Sequence, residues 1–321
     1  AMLACSPIFG RNGWYLEDLL RVAEAPNGTT ELLVTSVLEL LKNDGYDMAT
    51  LALAPLAGLS NHDDAHPWLN KLMRLAPSPK APDDLQIENI FITGPDGNQV
   101  RARVYKPKSA NEALPALLWI HGGGYLIGNP EQDENTCIQY VRELKISVFS
   151  VEYRLALQKS FPAGLEDCYA TLQWIATHAI EFGIDKERIA IGGASAGGGL
   201  AAALAQLAHD RQEVQPIFQL LVYPMLDDRT ALRTDLYDIN IAWNQPSNRF
   251  GWSAYLGKEC GSEDVPNYSV PARRENLAGL ARAWVGVGDL DLFYTEDLLY
   301  AQRLNEAGVD CEVVVRSEER R

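Results

Sequence analysis

Along the first part of the 321-residue chain, apolar residues recur at i, i+3 and i+4 over Trp14–Val22 and Thr30–Lys42. That spacing lines one face of a helix, so residues 1–80 are predicted to be a helical cap, ending in a Leu/Ala/Pro-rich connector. The proline-rich stretch "APSPKAPDD" (76–84) marks a boundary, and the period then shortens. Leu85–Thr93 and Gln99–Tyr105 flank "GPDGN", whose Asp-Gly pair predicts a hairpin. "PALLWI" (115–120) is apolar without alternation, the pattern of a strand buried on both faces. Strands are predicted at Ser147–Tyr153, Arg188–Ile191, Phe218–Tyr223, Ala283–Val287 and Cys311–Val315, with helices near 131–143, 164–182, 196–210 and 294–307. Alternation of this kind predicts an α/β body over 81–321, a mostly parallel sheet flanked by helices. Residues 228–280, rich in Trp, Tyr, Asn and Pro, interrupt the rhythm and are predicted to form a further wall over the carboxyl edge of the sheet.

Composition narrows the function classes. Hydrophobic residues make up 47% and charged residues 22%, which suits a compact folded body rather than a disordered one. The formal net charge of −15, with no basic block to offset it, repels a phosphate backbone, so no nucleic-acid partner is expected. Cys5, Cys137, Cys168, Cys260 and Cys311 are odd in number and scattered, which predicts reduced buried thiols and neither a zinc site nor a disulfide framework. His62 and His66 have i, i+4 spacing, but nothing else joins them, so no metal and no cofactor is expected. No apolar run approaches the ~20 residues of a membrane span. Met2–Phe9 is uncharged and broken by Pro7, unlike a secretory leader, and the expected location is the cytoplasm.

Two glycine-rich stretches carry the chemistry. Gly193-Ala194-Ser195-Ala196-Gly197 fits G-x-S-x-G and lies between a predicted strand and a predicted helix, the context in which a serine is held on a sharp bend. In a chain with 25 glycines a bare match is common, and the plain alternative is a turn with a bystander serine. "HGGGYLIGN" (121–129) follows another buried strand and offers consecutive backbone N–H groups free of side chains, suited to an oxyanion. Gly123 and Gly124 are the candidate donors on one side and Ala196 on the other. A dinucleotide fingerprint at Gly192–Gly198 lacks the acidic residue expected ~20 positions further on.

"HGGG", "VEYRLA" (151–156), "GGASAGGG", "YPMLDDR" (223–229) and "GDLDLF" (288–293), in this order, resemble the hormone-sensitive-lipase-like family of α/β-hydrolases. The resemblance covers about residues 85 to 315. It implies the α/β-hydrolase fold, a helical N-terminal cap, and a Ser-His-Asp carboxylesterase acting on a small-molecule ester of short to medium acyl chain. It assigns the nucleophile to Ser195 and the acid to Asp291, with Asp289 as the nearest competitor, and it implies pairing of copies through the last strand. One departure stands out: "YRLALQ" puts Leu157 and Gln158 where the family has a proline and an acid, which leaves the bracing of the active-site loops open.

Serine needs a base, and in this architecture the order is Ser, Asp, His, the histidine following the last strand. Here "CEVVV" turns at once into "RSEERR", and no histidine follows His209. His121 opens the oxyanion loop, while His178 and His209 fall on predicted flanking helices. The abrupt change reads as a truncation or frameshift before the histidine; the alternatives are an impaired enzyme or a non-catalytic relative that binds a small ligand, as the plant gibberellin receptors do. Trp14, Trp68, Trp243, Trp252, Phe250 and Tyr125 are candidate pocket walls, with cap-core packing as the competing role for each.

Overall fold

The computed structural model describes residues 2–7, 13–20, 48–51, 82–110, 112–233 and 243–317. They fall into two compact units, 1–70 and 71–321. In the first unit β1 (Met2–Pro7), β2 (Gly13–Leu20) and β3 (Met48–Leu51) form one sheet in the order β1-β2-β3. Of the helix predicted over Trp14–Val22, the described part, Trp14–Leu20, is therefore a strand. A short apolar run fits both periods, and pairing decides: β2 is laddered antiparallel to β1 and parallel to β3, which satisfies its backbone on both sides. Thr30–Lys42, the connector, His62, His66 and Trp68 lie outside the described residues.

The second unit is built on an eight-stranded sheet. β4 (Leu85–Thr93) and β5 (Gln99–Pro107) make the hairpin that the Asp-Gly turn predicts. They are followed by β6 (Leu114–Ile120), α1 (Glu134–Leu144), β7 (Ser147–Glu152), α2 (Ala163–Thr177) and the single turn α3 (Ala179–Phe182). Next come β8 (Ile184–Ala194), α4 (Ala196–Arg211), β9 (Phe218–Val222), α5 (Gln245–Leu256), β10 (Arg282–Gly288), α6 (Tyr294–Glu306) and β11 (Cys311–Arg316). The spatial order is β11-β10-β9-β8-β6-β7-β5-β4. Strands β6 to β11 run parallel, and β5 is antiparallel to both β4 and β7. Inside 228–280 the described residues form two short 3₁₀ turns and α5, whose amino end is capped by the Asn244 side chain on Ser247 N–H.

Alternation along the strands divides the core. Leu118, Ile120, Phe149, Ile189, Ile191, Leu221 and Val285 face α2, α4 and α6. Leu117, Trp119, Val148 and Ala194 face the other way, where Cys137 and Val141 of α1 join them. Towards β10 and β11 this second face is less covered: Val314 is 42% exposed and Trp284 half-buried. No helix among the described residues is long and apolar enough to cross a membrane.

One buried ion pair ties the hairpin to the helices. Asp167 in α2 is fully buried and accepts from Arg154 Nε and Nη2 at 2.8 Å each, from Arg154 N–H at 2.9 Å, and from Asn98 Nδ2 at 3.1 Å. Arg154 also reaches Asp96 in the hairpin turn at 2.6 Å. Truncating one member of such a pair leaves the other charge desolvated and unmatched, at a cost of ~3–5 kcal/mol. Asp167→Ala is expected to lose that much in urea unfolding, while Asp96→Ala, whose partner site is open to water, is expected to lose less than ~1 kcal/mol.

Candidate active site

The serine sits at the junction of β8 and α4 with φ 55° and ψ −121°, a conformation L-residues rarely hold and one that costs ~1–3 kcal/mol unless the surroundings impose it. Ser195 N–H donates to Val222 O at 2.9 Å, and Ser195 O accepts from Met225 N–H and Gly199 N–H at 3.0 Å each. The flanking glycines are required by close approach. A Cβ at 193 would lie 2.5 Å from Ile120 O, and one at 197 would enter Ile120 O and lie 2.5 Å from His121 O. The G-x-S-x-G spacing is thus a record of how tightly the end of β6 presses on the first turn of α4.

Directly after β6 the chain passes the serine. A Cβ on Gly122 would be 3.4 Å from Ser195 Cβ and 3.0 Å from Ala194 O. Gly123, Gly124 and Tyr125 then take positive φ in succession, 119°, 59° and 66°. The N–H groups of Gly123, Gly124 and Ala196 donate to no acceptor among the described residues. The loop is held by its other groups. Leu126 and Ile127 N–H donate to Gly123 O, and Ala156 N–H, from the "YRLALQ" segment, donates to Tyr125 O at 2.8 Å. In that segment the Gln158 side chain accepts from Leu155 N–H at 3.0 Å. Gln158 therefore braces locally where the family carries an acid.

His121 has a structural role. Its ring is buried, stacks on Tyr153 at 4.4 Å, and its Nδ1 lies 2.8 Å from Gly122 O. Burial brings its pKa down to about 4, so the ring is neutral at physiological pH with Nδ1–H donating to that carbonyl. Its own carbonyl accepts from Tyr153 O–H at 3.1 Å. His178 stacks on Trp174, and His209 lies near the end of α4 against Gly279.

Asp291 stands in the turn from β10 into α6. Its Oδ1 accepts from Phe293 N–H at 2.8 Å, and its backbone bonds Gly288 O and Tyr294 N–H. It lines a cavity of about 500 Å³ together with Val222, the serine's backbone acceptor, and Tyr223; Asp289 is absent from that lining.

Two acids behind Asp291 escape a reading of the sequence, because "TED" at a helix start looks like ordinary first-turn charge. Glu296 and Asp297 are buried instead. Glu296 Oε1 accepts from Leu226 N–H at 2.7 Å and Asp227 N–H at 3.2 Å, fixing the "YPMLDDR" segment. Burial pushes Glu296 up to about 8 and Asp297 well above the carboxylate range, the latter helped by Glu296 and Asp291 nearby.

Of the predicted pocket walls, Trp243 lies on the loop that follows β6: a Cβ on Gly124 would fall 2.5 Å from its Cζ2 and Cζ3. Tyr125 and Trp252 are core instead, packed with Tyr255, while Phe250 is half exposed to solvent and Trp14 belongs to β2. Aromaticity alone did not separate these roles. The cysteines Cys137, Cys168, Cys260 and Cys311 are buried free thiols.

Comparison with known proteins agrees with this geometry. Residues 117–319 match the α/β hydrolase fold family. The chain is 32% identical over 255 residues to the esterase LipI of Mycobacterium tuberculosis, covering 78% of this chain and 79% of that protein. It is 30% identical over 239 residues to an ethyl acetate hydrolase of Pseudomonas putida, covering 74% and 75%. A bacterial heroin esterase superposes with a TM-score of 0.72 at 37% identity, covering 77% of this chain and 80% of that one. Residues 1–80 match a different family, the C-terminal part of phosphatidylglycerol lysyltransferase. The chain belongs to the α/β-hydrolase family, in its hormone-sensitive-lipase-like branch of carboxylic ester hydrolases.

The raised Glu296 makes stability depend on pH with a definite sign. Above the ordinary carboxylate pKa the unfolded chain gives up this proton while the folded chain keeps it, so stability is full in acid and lost as pH rises through about 8. Thermal melts of Glu296→Gln, which keeps the acceptor for Leu226 N–H, are expected to flatten that decline and to raise stability at alkaline pH by roughly 1–4 kcal/mol. A variant as pH-sensitive as the parent overturns the assignment.

Proposed function

We propose that the site is that of a serine carboxylesterase for short- to medium-chain acyl esters. The observation that carries the proposal is the passage of Gly122 beside Ser195, so close that a Cβ added at 122 would touch Ser195 Cβ, with the Gly123, Gly124 and Ala196 N–H groups donating to no acceptor among the described residues. In this reading Ser195 Oγ attacks the ester carbonyl and the three N–H groups receive the negative oxygen, each contributing ~3–4 kcal/mol in the transition state. Asp291 orients an imidazole base. The Trp243 ring over Gly124, with α5 behind it, walls the acyl side, consistent with small substrates. Names such as ethyl acetate hydrolase among the relatives support the same substrate class. The exposed ladder of β11, at the sheet edge, is where two copies would pair. Residues 1–80 are read as a module apart from the hydrolase, since their match is to another family.

A binding-only relative is the second reading: among the described residues His121 is held in its stack on Tyr153, and His178 and His209 lie at Trp174 and Gly279. Removing the base from such a triad costs ~10⁴–10⁶ in turnover, while oxyanion donors and binding retain ~10³–10⁴ over water.

Two measurements separate the readings. Incubation with diethyl 4-nitrophenyl phosphate is expected to add one phosphoryl group to the peptide holding Ser195, and none in Ser195→Ala. Hydrolysis of 4-nitrophenyl butyrate is expected to be Ser195-dependent and to fall by ~10⁴ or more in Ser195→Ala. No label on Ser195 and no loss of hydrolysis in Ser195→Ala would sink the esterase reading.

A further inference from the structure

Met225 touches both sides of the site. Its N–H donates to Ser195 O at 3.0 Å, and its C=O accepts from the Tyr125 hydroxyl at 3.3 Å. Tyr125 directly follows Gly124, holds φ 66°, is buried, and stacks on Tyr255 at 4.1 Å. Its ring is thus a stiff arm from the glycine loop after β6 to Met225. Gly199, in the first turn of α4, leaves the space in which they meet: a Cβ there would enter Met225 O and lie 2.7 Å from the Tyr125 hydroxyl.

The peptide joining Met225 to Leu226 is planar, with its C=O and N–H pointing in opposite directions. Glu296 Oε1 accepts that N–H at 2.7 Å, and the next one, of Asp227, at 3.2 Å. Pinning the N–H therefore aims the C=O at Tyr125. A shift of this segment would release Ser195 O and the Tyr125 hydroxyl together. The pin comes from α6, which is neither the elbow nor the loop. Burial keeps the Glu296 carboxyl protonated at neutral pH, so an amide is its closest copy, while the unbranched thioether of methionine fills the space and removes the acceptor.

We infer that Glu296 is a positioning residue for ester hydrolysis: through the Met225 peptide it sets the distance between Ser195 and the glycine loop, and with it the rate of the chemical step. The kinetic half rests on the esterase reading; the mechanical half does not. In that reading the Gly123 and Gly124 N–H groups meet an oxygen on the carbon that Ser195 Oγ has just bonded, and a misplacement of ~1 Å between the two costs up to ~10²-fold. Ground-state binding needs no such match, so KM is spared.

Glu296→Met, Glu296→Gln and Tyr125→Phe are compared with the parent by 4-nitrophenyl butyrate kinetics and by amide exchange of the peptide spanning 193–199. Glu296→Met is expected to lower kcat by ~10–100-fold with KM within about twofold, and Glu296→Gln to stay within about threefold of the parent. Elbow amides are expected to exchange faster in Glu296→Met than in Glu296→Gln. Tyr125→Phe deletes only the hydroxyl and is expected to lower kcat, and adding it to Glu296→Met is expected to cost little more, because both act through one peptide. A carboxyl that serves stability alone would lower the melting temperature and leave kcat and elbow exchange unchanged, and that result overturns the inference. So does an equal fall in the Gln and Met variants, or a change confined to KM. If Glu296→Met does not fold, Tyr125→Phe decides: a selective fall in kcat upholds the route through Met225, and an unchanged kcat overturns it. If the parent neither hydrolyses the ester nor takes the phosphoryl label, the esterase reading falls and exchange alone decides: faster elbow exchange in Glu296→Met upholds the positioning of Ser195, and no change removes it.

Discussion

At the elbow there is no space for a methyl group on either side of the serine, because the carbonyl oxygens of Ile120 and His121 occupy the directions in which side chains at 193 and 197 would project. This contact sets the local geometry. It brings the end of β6 against the first turn of α4, and the same strand end continues as Gly122 past Ser195. Ser195 and the backbone of Gly122 to Gly124 are thus positioned by one backbone-to-backbone approach. The strained φ of Ser195 is the local cost, offset by backbone hydrogen bonds to Val222, Met225 and Gly199 on the opposite side.

Around that contact, polar groups out of water hold the loops. Arg154 and Asp167 clamp the segment after β7, whose Ala156 then bonds the carbonyl of Tyr125 in the loop after β6. Glu296 does the same for the segment after β9 through Leu226 and Asp227. The first clamp is an ion pair with matched charges. The second is a carboxyl that accepts from two backbone donors and from Thr230, and burial outweighs them and keeps its proton on. Loops next to the serine are anchored from behind by buried side chains.

Much of the hydrolase body was legible because its signals are local. Continuous apolar runs, an Asp-Gly turn and glycines at strand ends each act over a few residues, and the strands and helices from Leu85 to Val315 fall close to their predicted positions. The expectation for β8 began late, at Arg188, because the charged stretch from Asp185 to Arg188 hides the irregular pairing that starts at Ile184. Trp14–Val22 was misread since its partners β1 and β3 lie elsewhere in sequence, and short apolar runs take the form their neighbours permit. Glu296 and Asp297 were invisible for a related reason: nothing in three letters at a helix start says which side of the helix faces the core. Among the aromatics, Trp243 and Trp252 differ only in what packs against them.

The sheet order carries a consequence for synthesis. β6 lies between β7 and β8, and β8 between β6 and β9, so as the chain leaves the ribosome β6 waits with an open edge until residues near 190 emerge. The bond from Ser195 N–H to Val222 O cannot form before β9 arrives. Until then the serine is free to relax into an ordinary conformation. The bend at Ser195 accordingly takes its final shape only when the ninth strand docks.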